Sequence, residues 1–287
     1  MISRKIRWLP SVGKENGQAI ASLEKQLEAF YQKNPDYYGD IEFTADNWIN
    51  EAEEGYKQIA SLVKESNSVC EFGCGSANIL KHFPALQSKY SGCDFSEQLI
   101  SSNRQKYPGA FFETIKVPNE LPFAAGKFDL VFSVFVLEHC TRPSKVLDEC
   151  YRILAPGGRL VILCPDFLGQ GRLSSQRAGW SEGTTSDKIK KGKYIDALIT
   201  FFDNRIRIPF YSRRQRSKVS KQPQFLVNIH PTVFEDKFNP DVDAVYVTCR
   251  EEIIQYMGDR FTIEENSAAI EIYTEKSRLI FLSLRKK

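Results

Sequence analysis

The chain has 287 residues, 42% hydrophobic and 26% charged, with a formal net charge of +3, the make-up of an ordinary globular protein with one sizeable core and additions. The longest apolar run, residues 130–137, is far too short for a membrane span, and residues 1–10 lack the apolar stretch of a signal peptide, so a cytoplasmic location is expected. Seven cysteines form no CxxC pair and mostly sit in apolar runs, so they are read as reduced small hydrophobes and no metal site is expected. The charge is uneven: residues 185–221 hold eleven Lys/Arg against three Asp, which leaves the rest net acidic.

Two helices lead the chain. Residues 20–31 place Ile20, Leu23, Leu27 and Phe30 at helical spacing, and residues 47–63 do the same with Trp48, Ile49, Tyr56, Ile59, Leu62 and Val63. Asn34-Pro35-Asp36 breaks between them. Short apolar runs at 68–72, 90–95, 110–115, 128–135 and 160–164 then read as strands, with helical stretches between most of them. The clearest helix, 143–154, starts at Pro143, carries the stripe Val146, Leu147, Cys150, Ile153, Leu154, and is expected to stop at Pro156-Gly157-Gly158. This alternation predicts an α/β fold with a doubly wound, mostly parallel sheet.

Past residue 166 the alternation stops until about 240, too long for a structureless loop, and an inserted subdomain is expected there. Within it Tyr194, Ile195, Leu198, Ile199, Phe202 and Ile206 share one helical face, expected to pack on the core as a lid in preference to anchoring in a membrane. Residues 268–273 and 279–284 are expected to close the chain as an antiparallel hairpin. The organisation so read is a helical cap (1–65), a ligand-binding core (66–166), an inserted basic lid (167–240) and the C-terminal part of the core (241–287).

The chemistry concentrates after the first two core strands. Residues 68–78 run from a strand through Gly73-Cys74-Gly75 into a helix, a turn that in such a sheet lies at the carboxyl edge where ligands bind. Gly73 and Gly75 permit close approach of a ligand to the backbone. Asn78 stands where a dinucleotide fingerprint requires its last glycine, and Glu71 at the strand end is badly placed beside pyrophosphate but suits an ammonium group. Asp94 closes the next strand at the position from which a carboxylate accepts ribose hydroxyls. The ligand these residues describe is a nucleoside with a cationic appendage.

In order along the chain stand Glu71-Phe72-Gly73-Cys74-Gly75, Gly92-Cys93-Asp94-Phe95-Ser96, Leu121-Pro122-Phe123, Phe128-Asp129-Leu130-Val131, Leu137-Glu138-His139 and Arg152-Ile153-Leu154-Ala155-Pro156-Gly157-Gly158. This succession resembles the class I S-adenosylmethionine-dependent methyltransferases, closely over residues 66–166 and more loosely over 241–263. The resemblance implies a Rossmann-like fold and S-adenosylmethionine as cofactor. It implies that Gly73 and Gly75 pass beneath the methionine part, that Glu71 orients it, and that Asp94 holds the ribose. The family's adenine-contacting acid falls near Val117, so Asn119 or a backbone carbonyl takes that role, with Phe95 as an apolar flank for adenine.

The catalytic half is open. His139 serves equally as a base or as a satisfied core histidine, Asp166 is more simply a cap or turn residue at the end of the fifth strand, and His230 more simply a surface histidine. A small-molecule, glycan or lipid-linked acceptor, with anionic groups to suit the basic insertion, is expected, and that insertion also suits peripheral membrane contact. A nucleic-acid acceptor is disfavoured, since no recognised binding module is present. A cofactor-binding regulatory protein without catalysis and a nucleotide-dependent oxidoreductase stay as alternatives.

Overall fold

A seven-stranded sheet forms the larger part of the described chain, in the order β4-β3-β2-β5-β6-β9-β8. Its strands are β2 (Val69–Phe72), β3 (Tyr90–Asp94), β4 (Phe111–Thr114), β5 (Phe128–Val134), β6 (Leu154–Pro165), β8 (Phe261–Glu264) and β9 (Leu279–Lys286). The first five run parallel, and β9 is antiparallel to both β6 and β8. The structure is a computed structural model that describes residues 12–15, 17–33, 53–116, 119–170, 185–202, 205–206, 208–229 and 244–287.

The order reverses at β2, between β3 and β5, which makes the turn after β2 the switch point of the sheet. The central strands are apolar runs because helices cover both faces. On one face Leu130, Phe132, Val161, Leu163 and Phe281 share a cluster with Ile59 and Val63 of the Glu53–Glu65 helix and Ile270 of the Ala268–Ser277 helix. The Pro143–Ile153 helix packs on β5 and β6 through its buried Val146, Leu147, Cys150 and Ile153.

By contacts the chain separates into two compact units, residues 38–165 with 256–287, and residues 1–37 with 166–255. The first holds the seven-stranded sheet. In the second, β1 (Val12–Lys14) pairs antiparallel with β7 (Leu226–Asn228), and Phe167, Leu168, Val219, Leu226, Ala244, Val247 and Cys249 form a small core. Buried Glu252 organises this unit by accepting the backbone N–H groups of Gln224 (2.7 Å) and Phe225 (2.8 Å) and the hydroxyl of Tyr246 (2.8 Å). All seven cysteines are free, six of them buried, and among the described residues no helix is long and apolar enough to cross a membrane.

Three expectations are corrected. Residues 268–277 are a helix, so the antiparallel partners of β9 are β6 and β8 and the two C-terminal strands are joined by that helix. Its start is a cap, with the Ser267 hydroxyl accepting the N–H of Ile270, and its apolar side needs only Ile270 and Tyr273 to reach the core. Second, Pro156-Gly157-Gly158 does not end the preceding helix, which stops at Ile153. The motif loops out within β6, where Leu154 faces Phe128 and Arg159 faces Leu130.

Third, the apolar face of the Tyr194–Phe202 helix does not pack on a core. Tyr194, Ile195 and Leu198 are 68–73% exposed, and the side chains turned inward are Ala197 and Thr200. Most of the second expected helix appears as Glu53–Glu65, its earlier part lying outside the described residues.

Candidate functional site

The first unit brings Glu71, Gly73, Gly75 and Asp94 together at the carboxyl ends of β2 and β3. Residues 71 and 92 lie opposite each other, and as β2 ends the Gly73 and Cys74 N–H groups both turn onto the carbonyl of Cys93, at 2.8 and 3.0 Å. Gly73 has φ +69°, and a Cβ there would stand 2.4 Å from both methyls of Val136, so the backbone must approach that side chain closely. Gly75, at φ +48°, has nothing within 4 Å of where its Cβ would project. The first glycine is required by packing within the protein, and the second opens onto free space.

Asp94 ties the two turns. One carboxylate oxygen accepts the Gly75 N–H at 3.0 Å and the other the Ser96 N–H at 3.0 Å, while burial raises the pKa of the group. Ser96 caps the Glu97–Lys106 helix by accepting the Leu99 N–H, and Asn103 on the buried side of that helix donates to the Gly75 carbonyl at 2.7 Å. Asn103 escaped the sequence reading. Its signal was a polar residue spaced with Ile100 and Tyr107 on the apolar stripe.

Glu71 is 5% exposed and accepts the hydroxyl of Tyr90, a partner that nothing in the local sequence marks. Burial pushes its carboxyl up to about 8, the Tyr90 hydrogen bond opposing this and the charge of Asp94 adding to it. Phe95, directly after Asp94, stays 54% exposed. Asn119 is half-buried in the left-handed backbone region at φ +65°, and Val117 lies outside the described residues. His139 sits half-buried on the Leu137–His139 turn that follows β5, three residues after the Val136 that abuts Gly73.

Other motif residues turn out to be braces. Arg152 donates to the carbonyls of Leu121 (3.0 Å) and Phe123 (2.8 Å) and pairs with Glu149, which in turn accepts the Leu121 N–H at 2.8 Å. Asp129 accepts the N–H groups of Asn67 and Ser68, fastening β5 to the start of β2.

Asp166 belongs to the second unit, and its environment is that of a cap. One of its oxygens accepts the Gly169 N–H at 2.9 Å at the start of the Phe167–Gln170 helix, and it lies 3.7 Å from Arg216, which pairs with Glu251 at 2.6 Å. His230 lies outside the described residues. Among the described residues no group of three or more His, Cys, Asp or Glu is arranged to hold a metal ion.

Comparison with known proteins gives the same family as the motifs. The family model described as "Methyltransferase domain" matches residues 70–162. A trans-aconitate 2-methyltransferase of Acidovorax sp. (strain JS42) is 30% identical over 125 residues, covering 42% of this chain and 47% of that protein. A tRNA N(3)-methylcytidine methyltransferase of Drosophila melanogaster is 35% identical over 115 residues, 35% of each chain. The chain thus spans less than half the length of these relatives. In fold it is similar to the PH0226 protein from Pyrococcus horikoshii OT3, with a TM-score of 0.51 at 15% identity over 90% of this chain and 99% of that one. Over residues 70–162, about a third of the chain, the family model, the sheet order and the glycine turn thus support the resemblance to the class I S-adenosylmethionine-dependent methyltransferases.

Proposed function

We propose that the chain binds S-adenosylmethionine at the turn after β2 and transfers its methyl group to an acceptor carrying anionic groups, a small molecule, a glycan or a lipid-linked sugar. The observation that carries this reading is a pair of buried carboxyl groups, Glu71 and Asp94, beside a glycine turn open on its outer side. Each carboxylate is costly to bury alone, and a ligand bringing positive charge offsets that cost, whereas pyrophosphate would add to it. This favours a cationic nucleoside over a dinucleotide and sets the oxidoreductase alternative aside.

Bound there, S-adenosylmethionine supplies a sulfonium-activated methyl group that an acceptor nucleophile displaces directly. The protein's part is mostly alignment. Asp94 would hold the ribose hydroxyls on the oxygen lone pairs not used by Gly75 and Ser96, Glu71 would orient the methionine part through its ammonium group, Asn119 would contact the adenine amino group and Phe95 would flank adenine. Where the acceptor must lose a proton, His139 is the base we assign, since Asp166 is held in a cap and an ion pair. We assign acceptor selection to the inserted segment 167–240.

An RNA acceptor is a second reading, supported by the tRNA methyltransferase among the relatives and by the basic residues of 185–221. Calorimetry with S-adenosylmethionine and NAD, followed by labelled methyl transfer into fractionated metabolites, lipids, glycans and RNA, tests the proposal. Binding of S-adenosylmethionine and label in one fraction is expected. Preference for NAD would overturn it, and binding without transfer to any fraction would leave a regulatory cofactor-binding protein.

A further inference from the structure

Between residues 185 and 219 the second unit presents an exposed surface that is both apolar and basic. The Thr185–Lys190 helix turns at Gly192, φ +69°, and the Tyr194–Phe202 helix packs back against it. The contact between them is polar: the buried Lys188 ammonium donates to the Thr200 hydroxyl at 2.8 Å. The outward face is the apolar one. Tyr194, Ile195, Leu198, Phe201 and Phe202, spaced three and four apart, are between 46% and 73% exposed. Large apolar side chains clustered in this way on a surface mark a binding site.

Positive charge leads into that stripe. Lys190, Lys191 and Lys193 are exposed in the turn leading into it. The Ile208–Val219 helix repeats the arrangement, with Phe210 69% exposed, Arg213 and Arg214 exposed, and Ser212 and Val219 buried on its inner side. Among the described residues from 188 to 221 no acidic side chain is exposed.

We infer that this face docks on the surface of an anionic lipid bilayer. An amphipathic helix lying in the interface sinks its apolar side into the headgroup and acyl boundary while flanking Lys and Arg meet lipid phosphates and carboxylates. Charge weighs against a second copy of the chain, because a two-fold contact of this face with itself sets the exposed Lys190, Lys191 and Lys193 against basic partners, with no fully exposed acid among the described residues 188–221 to neutralise them. The inference stands whether or not the chain transfers methyl groups.

The test is co-sedimentation of the full chain, without cofactor, with vesicles of phosphatidylcholine alone and of phosphatidylcholine with phosphatidylserine. Binding to the phosphatidylserine vesicles, weakened by salt, is expected. The triple variant Lys190→Ser, Lys191→Ser, Lys193→Ser should partition on the order of a hundredfold more weakly. The triple variant Ile195→Ser, Leu198→Ser, Phe202→Ser should lose binding while keeping its thermal melt, since these side chains are exposed. No binding by the unaltered chain, or binding by both variants as tight as that of the unaltered chain, overturns the proposal. Self-association at sedimentation equilibrium that only the apolar variant abolishes also overturns it, and gives the face to a second copy.

Discussion

Replacing Gly75 with valine distinguishes a turn that seats a ligand from one that only packs. Apart from Gly75 itself and its chain neighbours, no atom lies within 4 Å of the position a Cβ would take, so the main cost to the folded chain is the strain of a side chain at φ +48°, about 1–2 kcal/mol. For a chain of this size that lowers Tm by a few degrees, at roughly 2–4 °C per kcal/mol. If the open side of the turn is where S-adenosylmethionine lies, the three added carbons overlap it at a cost on the order of 3 kcal/mol, about a hundredfold in Kd. Gly73→Ala is the control with the opposite signature. Its Cβ would meet the Val136 methyls at 2.4 Å at φ +69°, so the loss falls on stability, roughly 3 kcal/mol or more. Thermal melts and calorimetry on both variants separate the effects. Normal cofactor binding by a folded Gly75→Val chain would refute the placement of the cofactor.

Asp94→Ala should weaken S-adenosylmethionine binding by about 1.5–3 kcal/mol, the range for hydrogen bonds to a charged group, and an unchanged Kd by calorimetry would remove Asp94 from the ribose. Glu71 gives a pH dependence: burial keeps it protonated to about 8, so binding a cationic ligand below that pH must release a proton. Affinity is therefore expected to rise up to tenfold per pH unit until about pH 8, with proton release seen as buffer-dependent heats. Tyr90→Phe, by removing the hydroxyl that favours the ionised form, should move that midpoint upward. The same raised pKa means the folded chain holds a proton that the unfolded chain gives up near 4.5, so Glu71 costs stability progressively as pH rises from about 4.5 to about 8. Leu163→Ala, at a fully buried position, should cost about 2–5 kcal/mol in a denaturant titration without changing cofactor contacts.

The parallel strands and the glycine turn were legible in the sequence because each is specified by neighbours along the chain. A strand buried on both faces is an unbroken apolar run, and a turn that must take positive φ is written as glycine. The order of the motifs carried the family for the same reason, although Arg152 and Leu121-Pro122-Phe123, read as separate signatures, prove to be partners held by hydrogen bonds. Residues 268–273 read as a strand because Ile270 and Ile272 alternate as they do in one, while the deciding facts are the Ser267 cap and the place of the helix on the sheet. Likewise 3.6-residue periodicity found the apolar face of the Tyr194–Phe202 helix but could not tell that Ala197 and Thr200 would be the buried side. Periodicity records which residues share a face. Whether that face is covered, and whether Glu71 finds Tyr90 or Asp94 finds the amides of Gly75 and Ser96, depends on groups that only the tertiary fold brings within hydrogen-bond reach.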